Sequence, residues 1–170
     1  TTGILVICDL IGIATDLSRE VRQQISSKTE VPVSNIVIAA THSHTAPDYI
    51  KELYLYLGKE EQDKLRSDYI EKLVSGLVEA GSQAFEQARP AQLATGVAIQ
   101  DTPVSFNRRS LMRDGSVKTW QSSNNPQVVR PAGPIDPEIG LLAIRDPEQG
   151  AIRVLLSNFA LHLDTTGGMR

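Results

Sequence analysis

Residues 33–47 read VSNIVIAATHSHTAP. The run Ile36 to Ala40 has the composition of a strand, and beyond it stand two imidazoles, His42 and His44, spaced by one residue. Upstream, Gly3 to Ile11 (GILVICDLI) is a second apolar run broken by Asp9, the pattern of a strand covered on both faces. Between the two runs, from Asp16 to about Lys28, Leu17, Val21 and Ile25 recur every four residues. That spacing predicts an amphipathic helix with Asp16 or Ser18 as its N-cap, and Pro32 punctuates before the next strand. Strand, helix and strand make a βαβ unit, so the two strands should run parallel.

Downstream, Tyr49 to Leu57 reads as a short amphipathic segment closed by Gly58. A long helix follows from about Lys59 to Arg89. Its apolar positions, from Leu65 through Leu73, Leu77 and Phe85 to Ala88, keep three-and-four spacing until Pro90 stops it. Ala91 to Ile99 reads as a strand. From Asp101 to Pro137 the composition shifts to Asn, Ser, Arg, Pro and Gly, which predicts a long loop, too long to be idle. Gly140 to Arg145 and Ile152 to Leu161 flank the turn DPEQGA and predict a hairpin. The expectation is a single α/β domain over residues 1–170, with a βαβ unit, a central mixed sheet and flanking helices.

Composition narrows the function. Seventeen Lys and Arg against 20 Asp and Glu give a net charge of −3, and no basic block appears, so nucleic acid is not an expected partner. No apolar run reaches the roughly 18 residues of a spanning helix, and no signal-peptide pattern is present. The one cysteine, Cys8, lies inside an apolar run and reads as a small core residue rather than a reactive thiol. The chain begins TTG without Met and stops at TTGGMR, which predicts a piece of a longer polypeptide.

All three histidines, His42, His44 and His162, fall at strand ends, where ligands gather over α/β sheets. In an extended chain residues i and i+2 share a side roughly 6.5–7 Å apart, so His42 and His44 can face one small site. Imidazoles with a carboxylate and one open position are the chemistry of hydrolytic zinc. Taken alone, HxH is a weak signal, and each histidine could instead satisfy a core hydrogen bond. Asp9 and Asp164 could reach the same rim, although such residues more often serve turns or caps. In the loop FNRRS, Arg108 and Arg109 could bind a carboxylate or steady an oxyanion. Gly167 and Gly168 offer a flexible turn or a backbone anion contact.

Four stretches in order, SNIVIAATHSHTAP, SFNRRS, IDPEIGLLAIRD and NFALHLD, resemble the N-terminal catalytic domain of the neutral/alkaline non-lysosomal ceramidases. That resemblance implies a zinc held by His42 and His162, together with a glutamate and a tyrosine that would lie beyond Arg170. It implies that His44 is an acid/base group near the substrate and that Arg108 orients the reacting carbonyl. The implied reaction is hydrolysis of the amide of a ceramide-like N-acyl lipid, in a secreted or periplasmic setting, with peripheral membrane contact through parts outside this chain. The sequence departs from the family where HxH continues APDYIKELY instead of a Gly-rich segment, and where Leu163 and Asp164 replace Pro after His162. Both changes fall near the expected substrate entrance, so fold and metal carry over more directly than the lipid. The alternatives are another metal-dependent amidohydrolase, such as an HxH barrel, and a non-catalytic binding module that retains the fold.

Overall fold

Ile4 and Val6 point to one side of the first strand and are buried, whereas Leu5 and Ile7 on the other side are 49% and 45% exposed. This alternation sets the layers of the first half of the protein. The computed structural model describes residues 2–49, 58–102, 104–122 and 124–162. They form two compact units, one built on residues up to Arg89 and one from Pro90 onward.

In the first unit β1 (Ile4–Cys8), α1 (Thr15–Thr29), β2 (Ile36–Ala40) and α2 (Lys59–Glu86) follow in order. β1 and β2 pair in parallel from Ile4↔Ile36 to Cys8↔Ala40, as a βαβ unit requires. The core joins Ile4, Val6 and Ile36 of the sheet to Leu17, Val21 and Ile25 of α1 and to Val74, Leu77 and Val78 of α2. Burying each such side chain contributes roughly 1.5–3 kcal/mol relative to exposure. The second face of the sheet is not covered as the apolar runs predict, since Val37 is 52% exposed beside Leu5 and Ile7.

Two helix details also differ from expectation. Neither Asp16 nor Ser18 caps α1, because the helix starts one residue earlier, at Thr15, behind Ala14, which has no side chain able to cap it. Asp16 Oδ1 instead accepts from the Leu17 amide at 2.9 Å, inside the first turn. The Tyr49 hydroxyl accepts the Ala14 N–H at 3.0 Å, so a residue 35 positions away does part of the capping. In α2 the buried positions, Val74, Leu77, Val78, Gly81 and Ser82, all lie in the C-terminal half, while Leu65 and Phe85 are exposed. The expected segment from Tyr49 to Leu57 lies, after Tyr49, outside the described residues.

In the second unit β3 (Gln92–Ile99), β7 (Glu138–Arg145) and β8 (Ile152–Phe159) form an antiparallel sheet in the order β3-β7-β8. The expected hairpin is β7–β8. Its turn is held by Asp146, whose Oδ1 accepts the amides of Glu148 and Gln149 and whose Oδ2 accepts Arg153 Nε at 3.0 Å. Arg153 and two backbone donors hold the Asp146 carboxyl at about 2, against an ordinary 3.8.

The region from Asp101 to Pro137 is not a structureless loop. It contains β4 (Arg109–Met112), β5 (Val117–Thr119) and β6 (Val128–Pro131), ordered β5-β4-β6. These strands run three or four residues and are mostly exposed, so they show no apolar alternation. Their signal is the turn. Asp114-Gly115 closes a three-residue loop in which Gly115 donates to the Met112 carbonyl at 3.0 Å with φ +81°.

The mixture of helices and strands is α/β as predicted, with its βαβ unit and its long helix. The single mixed sheet is not formed, because the described strands fall into three sheets. One crossover helix supports one parallel pair, whereas the later strands all pair antiparallel, β4–β5 and β7–β8 across short turns. Nor is the alternating rhythm of an HxH barrel seen among the described residues. No helix among them is long and apolar enough to cross a membrane.

Candidate metal centre and the arginine cleft

The ladder of β1 and β2 continues past the strand ends and shapes the histidine loop. The Thr41 amide donates to the Cys8 carbonyl at 3.0 Å, and the Ser43 amide donates to the Leu10 carbonyl at 3.0 Å. The Thr41 hydroxyl donates to Asp9 Oδ1 at 2.9 Å, which fixes Asp9 as a brace beside His42. Cys8 donates to the Ala39 carbonyl at 3.3 Å, and burial, then the Asp9 charge, pushes its thiol up, in keeping with a packing residue.

His42 occupies the left-handed backbone region with φ +62°. A non-glycine residue in that region costs on the order of 1–3 kcal/mol and is held only where neighbours determine it. Here the neighbour is the Ile11 carbonyl, 2.6 Å from His42 Nδ1. A carbonyl only accepts, so Nδ1 carries a proton, and in the neutral ring this selects the tautomer whose lone pair is on Nε2. Metal-binding imidazoles are oriented in this way, by a carbonyl or carboxylate on the opposite nitrogen.

The left-handed turn also brings His44 round. The two rings stand 4.9 Å apart in a T-shaped arrangement, and ring nitrogens of the pair approach within 4.8 Å. The residues therefore converge by a different route from the one expected. Strand alternation does not place them, because the strand has ended at Ala40. Both histidines are exposed.

In the second unit, β4 and β5 pair with Arg109 opposite Thr119, and the same register carries Arg108 beside Trp120. The Trp120 amide donates to the Arg108 carbonyl at 3.3 Å, and the guanidinium lies 5.0 Å from the indole centroid. Arg109 takes a structural position, its amide bonded to Asn107 Oδ1 at 3.0 Å. His162, half-buried three residues past β8, lines a cleft of about 70 Å³ with Ser105, Phe106, Arg108, Trp120 and Leu161. The structure thus places Arg108 and His162 on one cleft, and His42 and His44 on one loop. Asp164, Gly167 and Gly168 lie outside the described residues.

Sequence reasoning missed Trp120 and Phe106. Trp120 is the one tryptophan of the chain and follows a Asp-Gly hairpin, a signal that would have placed it across from Arg108. Compared with known proteins, the chain matches no family model, no curated sequence and no solved structure.

Proposed function

We propose that this chain contributes to a zinc-dependent hydrolase, resembling the neutral ceramidases, that cleaves the amide of a ceramide-like N-acyl lipid. The observation carrying the proposal is His42, strained into a left-handed turn with Nδ1 bonded to a backbone carbonyl, the arrangement in which an imidazole ligates through Nε2. His42 and His162 are the proposed ligands. When bound, zinc supplies Lewis acidity and a water acidified to about pKa 7.

The chain's own residues do the rest. Arg108 turns its guanidinium N–H groups to the substrate carbonyl oxygen, and His44 delivers a proton from its ring to the leaving amine. Asp9, through Thr41, holds the loop that carries both imidazoles. The proposed partner is a small amide lipid. The net charge of −3 gives no support to a nucleic-acid partner.

The closeness of His42 and His44 favours a second assignment for His44, as a third ligand. Zinc content after equilibrium dialysis, measured by elemental analysis on the chain and on His42→Ala, His44→Ala and His162→Ala, decides among these. Zinc retained by His44→Ala but lost from the other two supports the acid/base role, whereas loss in all three makes His44 a ligand. No zinc in a polypeptide that carries the unmodified chain together with the implied glutamate and tyrosine would refute the metal reading and favour a non-catalytic binding module. With zinc bound, a failure to release fatty acid from ceramides of several chain lengths would refute the substrate alone.

A further inference from the structure

Arg108 is a cation held against an aromatic ring. Its guanidinium lies over the Trp120 ring at 5.0 Å, and among the described residues no carboxylate pairs with it. Trp120 is 65% exposed, and its backbone is left-handed with φ +59°, a conformation that a bulky side chain adopts at a cost. Phe106, 71% exposed, stands on the same wall. An exposed indole and phenyl, one held by strained backbone, mark a surface that receives something.

Beside this wall opens a groove of about 660 Å³, within the range of roughly 300–1,000 Å³ that small-molecule sites occupy. Phe106, Trp120, Val128 and Pro131 give it apolar sides beside a few neutral polar side chains, and among the described residues Arg108 is the one charged residue lining it. A stacked guanidinium keeps its in-plane N–H groups for a second partner, and their fork matches a carboxylate with two parallel hydrogen bonds. One cation in a mainly apolar trough fits a monoanion with a hydrocarbon tail. We propose that this groove binds an aliphatic monocarboxylate, its carboxylate on Arg108 and its chain against Phe106, Trp120 and Val128.

The inference stands on the second unit alone and does not depend on zinc. If the hydrolase reading holds, the acid released from an N-acyl substrate is one such ligand. Trp120 is the chain's single tryptophan, so its fluorescence reports directly on the site. The experiment titrates the chain with octanoate, octanol and octyltrimethylammonium below their micelle-forming concentrations, in EDTA and again with zinc. Octanoate should give a saturable change and bind at least about tenfold tighter than octanol, with the cation weaker still. Arg108→Gln, checked for an unchanged urea midpoint, should lose that tenfold preference, and Arg108→Lys should keep part of it. Equal affinity for octanol and octanoate in the unmodified chain, or no saturable signal, overturns the proposal even if Arg108→Gln does not fold. Loss of zinc binding leaves this titration unchanged, so the two readings fail separately.

Discussion

Two glycines in one helix make opposite predictions for the same substitution. A Cβ built on Gly81 of α2 would stand 2.6 Å from Ile25 Cδ1 and 3.3 Å from both Ile25 Cγ1 and Val6 Cγ2. Ile25 of α1 is fully buried and Val6 of β1 nearly so, and close packing around both leaves little room for either to swing aside. Gly76, five residues earlier and exposed, meets nothing within 4 Å. Replacing either glycine by alanine gains about 1 kcal/mol of helix propensity. At Gly81 overpacking subtracts about 1–3 kcal/mol, which leaves the variant between neutral and about 2 kcal/mol less stable than the parent. Gly76→Ala should be about 1 kcal/mol more stable. Subtracting one variant from the other cancels propensity and isolates the steric cost of bringing α2 against α1 and β1. Urea unfolding followed by helical circular dichroism, with unchanged m-values, measures both. If Gly81→Ala proved as stable as Gly76→Ala, the close approach of the helices would be wrong.

Tyr49→Phe removes the acceptor for the Ala14 amide and the donor to the Gly12 carbonyl, and should cost about 1–3 kcal/mol of stability in the same urea assay. A cost below a few tenths would mean that water caps α1 equally well. Asp146 predicts an acid limb of known sign. Its carboxyl sits at about 2 in the fold against an ordinary 3.8, so its contribution is complete above the ordinary value and is lost as pH falls toward 2. Asp146→Asn should therefore be less stable than the parent near neutrality, with the gap closing between about pH 4 and 2. A gap that stays constant through that window would show that the Arg153 contact and the turn amides do not hold the ionised form.

The local alphabet was enough for the first unit. Leu17, Val21 and Ile25 at every fourth position, two Ile/Val runs on either side and Pro32 between fix a helix and two strands, because each local preference agrees with the burial it produces. The long helix and the β7–β8 hairpin were legible for the same reason. The histidines were legible as a chemical type placed past a strand end.

What the sequence by itself could not decide depends on partners distant along the chain. The capping of α1 falls to Tyr49, and the direction of His42 falls to the Ile11 carbonyl and a left-handed turn. Nothing in a one-dimensional pattern encodes either pairing. The β4-β5-β6 sheet escaped notice because short, exposed strands carry no apolar period, and only the register across the Asp114-Gly115 turn brings Arg108 beside Trp120. Periodicity reports which side of an element meets the core. The direction of a side chain beyond the element's end is decided by whichever backbone group lies within hydrogen-bond reach, and tertiary structure alone supplies that group.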